Sequence, residues 1–244
     1  MDFESNLSNK ESTNLNFVQK SNELLNYAKT LEISDIAKLM KVSEKIAKLN
    51  YDRFKTFSEM PTKEAVFAYN GDVYNNLEAS SLSQTEINFA QNHLRIVSGL
   101  YGILKPLDKI KAYRLEMMLK IPKIAPKGLA KFWQQEITQT ISTQLQTHLN
   151  KYLVNLASNE YSAAIEAKSL GFPIINIHFR QMHKGALKNI ALNAKRARGV
   201  MARYIIQNNI DLPNELKGFA ANNYKFDSSL SGPNDFIFVQ NLVK

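Results

Sequence analysis

The sequence predicts an α/β fold, a compact single domain in which a mixed sheet is flanked by helices. Three observations lead there. The chain has 244 residues, enough to bury a full core yet short of the size at which cores usually split. Its 44% hydrophobic and 22% charged residues match an ordinary globular protein. Segments whose apolar residues return every three or four positions also alternate with short runs rich in β-branched and aromatic residues.

Helical spacing marks Phe17 to Leu31, Ile33 to Met40 and Ser43 to Phe57. Glu64 to Asn70 reads as a buried strand before the turn signal Gly71-Asp72. Ser83 and Glu86 have capping-box spacing, so a helix follows with Ile87, Ala90, Leu94 and Val97 on one face and Gly99 as its stop. A second helix is expected near Pro106, although Pro106, Pro122 and Pro126 make much of 105–131 loop. A helix from Phe132 to about Leu149, a strand over Tyr152 to Ala157 and a helix starting at Ser158 come next. Strands over Phe172 to Phe179 and Ala186 to Leu192 are joined around His183-Lys184-Gly185. A helix from Ala194 to Gln207 and a final strand, Asp235 to Gln240, complete the pattern. No repeat or linker interrupts it.

Zero cysteines exclude a disulfide framework and thiol chemistry. No pair of the four histidines shows ligand spacing with a third donor, so neither a metal nor a cofactor is expected. Apolar runs are broken every few residues, and Met1-Asp2-Phe3-Glu4 lacks a basic region and an apolar core. A cytoplasmic protein without a membrane partner is the expectation.

The formal net charge is +9, and its placement is informative. No acidic residue lies between Glu166 and Asp211, an interval that holds Lys168, Arg180, Lys184, Lys188, Lys195, Arg196, Arg198 and Arg203. In the helix from Ala194, one side carries Ala194, Ala197, Val200, Met201, Tyr204 and Ile205, and the other Lys195, Arg196, Arg198, Gly199 and Arg203. Guanidinium forks suit phosphate oxygens, so this side predicts a polyanion partner, nucleic acid above all; a solvated helix face is the plainer alternative. The two-glycine bend Ser98-Gly99-Leu100-Tyr101-Gly102 between two expected helices suggests a helix-hairpin-helix-like element offering backbone N–H groups to a phosphate. A glycine cap followed by a turn explains the same residues. Glu160 and Tyr161, where a strand feeds a helix, are candidate acid–base groups with Arg114 as an anion anchor, against the simpler reading of Ser158 as an N-cap.

These residues sit within longer motifs: Gly71-Asp-Val-Tyr74, Phe89-Ala-Gln91, Leu94-Arg95, Ser98-Gly-Leu-Tyr-Gly102, Pro106-Leu-Asp108, Tyr113-Arg-Leu-Glu-Met117, Phe132-Trp133, Asn155-Leu-Ala-Ser-Asn-Glu-Tyr161 and Ala194-Lys-Arg-Ala-Arg-Gly199. Together, from Asp2-Phe3-Glu4-Ser5 onward, they resemble the bacterial YaaA family of peroxide stress resistance proteins. The resemblance implies a compact α/β fold with a positively charged cleft, DNA binding through that cleft and a role in limiting iron-driven oxidative damage. It adds weight to the helix-hairpin-helix reading and to placing Lys195, Arg196 and Arg198 at the cleft; Arg203, Arg180 and Lys105 are further candidate nucleic-acid contacts. No enzymatic reaction and no obligate protein partner come with it. An enzyme acting on a nucleotide or other anionic small molecule is the alternative. An iron-sequestering protein would also fit the stress role but lacks a ligand set.

Three departures from the family pattern stand out. Met118-Leu119 replace a Gly-Thr, Lys105 replaces an Arg, and an apolar strand with a Ser-Pro-Ala-Lys turn is absent before Asp2. A sheet deprived of a strand exposes apolar surface and edge groups, so a longer native N-terminus is expected. Intact-mass analysis of the protein from its host tests this, and a mass equal to the 244-residue chain refutes it.

Overall fold

The computed structural model describes residues 1–4, 12–183 and 185–240. Ser5 of the first motif and Lys184 of the expected hairpin lie outside them. In chain order come helices α1 (Val18–Lys29), α2 (Ile33–Met40) and α3 (Glu44–Lys55), strand β1 (Lys63–Glu64), and helices α4 (Ala65–Ala68), α5 (Asp72–Leu77) and α6 (Gln84–His93). Strands β2 (Ile96–Ser98), β3 (Gly102–Leu104) and β4 (Lys109–Ile110) precede helix α7 (Leu129–Thr147), strand β5 (Leu153–Asn155), and helices α8 (Asn159–Ser162) and α9 (Ala167–Leu170). Strands β6 (Ile174–His183) and β7 (Ala186–Lys188), helices α10 (Ala191–Gln207) and α11 (Pro213–Leu216), and strands β8 (Tyr224–Phe226) and β9 (Asp235–Gln240) follow. No described helix is long and apolar enough to cross a membrane.

The elements fall into two compact units. The first takes in Met1–Tyr69, Gln91–Thr140 and Ser158–Ser169. Its sheets are two-stranded: β1 pairs antiparallel with β4, and β2 with β3. Leu24, Ile36, Phe54, Leu100, Ile103, Leu104, Ile110, Met117 and Trp133 are fully buried there. The second unit takes in Asn70–Ala90, Ile141–Ala157 and Leu170–Lys244 and holds the mixed sheet, in the order β5-β6-β9-β8 with β7 paired to β6. β5, β6 and β9 are parallel, whereas β7 and β8 run antiparallel to their neighbours. Ile175, Ile177 and Phe179 of β6 and Phe236 and Phe238 of β9 turn one face of that sheet toward Ala194, Ala197 and Met201 of α10.

Several elements differ from the sequence expectations. The run 64–70 is not a strand: after Glu64 it forms the single turn α4, closed by Tyr69 N–H donating to Ala65 O at 3.0 Å. Ala65, Val66 and Ala68 are all buried, and a segment buried on every side loses the periodicity that tells a turn from a strand. The capping box at Ser83 forms, with Ser83 N–H donating to Glu86 Oε2 at 2.6 Å and Glu86 N–H to Ser83 Oγ at 3.3 Å. Its helix stops at His93 rather than Gly99, because the Arg95 guanidinium takes the carbonyls of Gln91, Asn92 and Leu94 that the helix leaves open. Ile96 and Val97 then enter β2. No helix begins at Pro106, so the helix-hairpin-helix expected around Ser98–Gly102 is instead a β-hairpin, with Val97 opposite Ile103 and Ser98 opposite Gly102.

Both glycines of that hairpin answer to packing. A Cβ on Gly99 would stand 2.1 Å from Leu115 O, and one on Gly102 2.8 Å from the Trp133 ring. Trp133 Nε1–H donates to Gly99 O at 2.9 Å, fixing the indole over the turn. Gly102 also has φ +75°, a conformation that costs a side chain about 1–2 kcal/mol. Gly102→Ala should therefore lose about 2–5 kcal/mol, the sum of that strain and about 1–3 kcal/mol of overpacking. Gly171→Ala, at φ +77° with open space around it, should lose the strain alone. Denaturant unfolding checks both, and equal losses would refute the packing account.

Candidate functional site

In the second unit, α10 lies along α5, and Gly199 sets how closely. A Cβ there would fall 2.1 Å from Val73 O, so only glycine lets the two backbones approach this far. Gly199 is buried rather than on the polar side, contrary to the helical-wheel expectation. The contact brings carboxylates that the local sequence does not supply. Arg196 Nε lies 3.5 Å from Asp72 Oδ1, a half-exposed pair of small energetic weight. Arg203 donates through Nη1 to Leu77 O and Glu78 O, each at 3.0 Å, with Glu78 Oε2 at 3.8 Å. It caps the C-terminal end of α5 with a cation, where the helix dipole favours one.

Arg198 differs from both. Burial lowers its pKa from the usual arginine value, and its Nε is buried without a hydrogen-bond partner. Among the described residues it has no ion pair. Lys195, on the same helix, is exposed. Lys195, Arg196 and Arg198 are thus brought together, and Arg203 is committed to α5. Arg180 lies on β6. In the first unit Lys105 follows β3 half-buried, its N–H donating to Asp108 Oδ2 at 2.8 Å. Ser98, Gly99, Tyr101 and Gly102 are all buried, and none presents a free backbone to solvent.

The first unit assembles a separate polar cluster. Ser98 Oγ accepts from Tyr101 N–H at 2.9 Å and lies 2.7 Å from Tyr113 OH, which is 2.6 Å from Tyr69 OH. Burial pushes the fully enclosed Tyr113 phenol well above its usual pKa. Tyr161 is beside it electrostatically and is pushed up to about 12, by burial first and then by the Glu160 and Glu116 carboxylates, with Arg114 opposing. Arg114 Nη2 lies 2.6 Å from Glu116 Oε1, and Glu160 Oε1 accepts from Met118 N–H at 3.2 Å. Ser158 occupies the N-cap position of α8 without a side-chain cap bond; its carbonyl accepts from Ser162 N–H at 2.8 Å. Arg114, Glu160 and Tyr161 are therefore brought into one neighbourhood. Tyr69 and Tyr113 were missed, since no local pattern joins hydroxyls 44 residues apart.

A family model described as peroxide stress protein YaaA matches residues 1–230. The chain belongs to the YaaA family. A UPF0246 protein of Rickettsia bellii (strain OSU 85-389) is 48% identical over 230 residues, spanning 94% of this chain and 92% of the relative. A UPF0246 protein of Rickettsia felis is 42% identical over 240 residues, covering 98% and 96%. One from Rickettsia africae is 44% identical over 224 residues, covering 92% and 89%.

Several motifs that carry the YaaA resemblance have framework roles. Gln91 Oε1 accepts from Leu107 N–H at 2.9 Å, and Asp108 accepts from Thr13 Oγ1 and Lys105 N–H, which together hold the loop after β3. Gly71-Asp-Val-Tyr74 and Ala194–Gly199 are the two sides of the α5–α10 contact. The Tyr161 cluster instead joins ionisable groups whose properties shift one another. Glu160→Gln should lower the Tyr161 pKa by removing a nearby anion, while burial keeps it above 10. Arg114→Ala should raise it. Ultraviolet titration against Tyr161→Phe measures both shifts, and movement in the opposite direction would refute the assignment.

Proposed function

We propose that this protein acts in the cytoplasm during the peroxide stress response as a DNA-binding protein that limits iron-driven damage, holding the phosphate backbone with the outer side of α10. Family membership supports the stress role, and the route through iron rests on the resemblance alone. The observation that carries the binding reading is Arg198. A guanidinium stays charged at any physiological pH, and a partly buried one with no ion pair among the described residues is favoured by an anion that pairs with it. Lys195 and Arg196 flank it, and the weak Asp72 pair can yield to phosphate.

Three phosphate contacts give a slope of log K against log salt near −2.7, from about −0.9 per contact on duplex DNA. Arg198→Ala should weaken binding to all sequences alike and make the slope shallower by about 1, with Arg196→Ala doing less because Asp72 already occupies it. Arg203→Ala should lower stability and leave the slope of the folded protein unchanged. Fluorescence anisotropy over a salt series measures these quantities. An unchanged slope in an Arg196→Ala, Arg198→Ala double variant with native circular dichroism overturns the reading.

A second reading has its own support. The Arg114, Glu116, Glu160 and Tyr161 cluster has the composition of an acid–base site for an anionic small molecule, with Tyr161 as a protonated donor. Glu160→Gln should disturb such an activity while changing DNA affinity by no more than about twofold, since a carboxylate repels phosphate rather than binding it.

A further inference from the structure

The sheet of the second unit has a face that neither the α10 site nor the Tyr161 cluster uses, and Arg180, a candidate nucleic-acid contact in the sequence, stands on it. Along β6, Ile175, Ile177 and Phe179 enter the core, and Asn176, His178 and Arg180 stand on the other side, half-buried. Register sets Asn176 beside Asp235, His178 beside Ile237 and Arg180 beside Val239; Val239 is in turn beside Lys225 of β8. Arg180 and Lys225 therefore bracket Val239 from its two neighbouring strands, with backbones about 10 Å apart at the usual strand spacing of about 5 Å. Two long cationic side chains at that separation can reach one anion between them.

The acidic groups nearby are already engaged. Asp235 is the one acidic residue in this row among the described strands. Its Oδ1 lies 2.8 Å from His178 Nε2 and accepts from Asn176 Nδ2 at 3.3 Å. A directed amide chain stands behind it: Ala157 N–H donates to Asn155 Oδ1 at 3.0 Å, and Asn155 Nδ2 donates to Asn176 Oδ1 at 3.0 Å. Asp227, just past β8, has its Oδ1 accepting from Ser229 N–H at 2.9 Å and Leu230 N–H at 3.1 Å. Arg180 and Lys225 have no ion pair among the described residues. Because an ionised carboxylate only accepts, His178 carries its proton on Nε2 and keeps Nδ1 for another partner.

We propose that this face binds a phosphate monoester, with its phosphoryl oxygens between Arg180 and Lys225, His178 as the adjoining hydrogen-bonding group, and Ile237 and Val239 as an apolar floor under the organic part. The site stands apart from α10 and does not depend on the DNA-binding reading.

The test follows the His178 Cε1–H resonance of the full chain by NMR during titration with phenyl phosphate or inorganic phosphate, against sodium chloride of equal ionic strength. A saturable shift, tighter for phenyl phosphate because its ring covers the floor, is the expected result. Arg180→Gln and Lys225→Gln should each weaken it about tenfold, the lower range for a charge-assisted hydrogen bond. Lys225 is exposed, so its variant keeps the test valid if Arg180→Gln misfolds. Asp235→Asn should mix the His178 tautomers, visible in its nitrogen shifts. No shift beyond the chloride control, or the same affinity in Lys225→Gln, overturns the proposal. Displacement of phenyl phosphate by short duplex DNA, lost in Lys225→Gln, would reassign the face to the nucleic-acid backbone and overturn it too.

Discussion

The close approach of α5 and α10 at Gly199 governs what the second unit can offer a ligand. A glycine at that one position lets Val73 O sit where a side chain would otherwise stand, and the rest follows from helix geometry. With the backbones this near, Asp72 reaches Arg196 and the end of α5 reaches Arg203. A helix that looks uniformly basic in one dimension becomes graded: one arginine consumed, one loosely paired, one left with an open donor. Net charge alone would rank these residues equally, and it is their neighbours that separate them.

A comparable distinction applies in the first unit. Two glycines flanking a turn are what a phosphate-binding loop needs, and also what a loop beneath a tryptophan needs. Here the Trp133 ring and the Leu115 carbonyl occupy the space that a Cβ would take. The hairpin is then a support for Tyr113, whose hydroxyl it holds through Ser98. What first resembles a binding motif has become the wall behind a cluster of ionisable side chains.

Legibility in the sequence followed the range of the interactions. The capping box at Ser83, the first three helices and the strand expected over Phe172 to Phe179 are local patterns, and each formed close to where it was expected. The short turn α4 was misread because full burial erases periodicity. The end of α6 was misread because a side chain, Arg95, stops the helix in place of the glycine that usually does. The basic side of α10 was visible, but the fate of its arginines was not, since Asp72 and Glu78 lie more than a hundred residues away in sequence. The amide chain from Asn155 to Asp235 was invisible for the same reason: it exists only once three parallel strands are in register.

That register has a consequence for the chain while it is being made. β9 sits between β6 and β8, so β6 leaves the ribosome well before the strand that will pair along its length, and β8 precedes the neighbour that anchors it. Until then the nascent chain carries an open strand edge, with Ile175, Ile177 and Phe179 uncovered by Phe236 and Phe238. Such edges recruit other strands. The polar side chains of β6's outer row, Asn176, His178 and Arg180, keep one side of that waiting strand hydrated and unattractive to another chain.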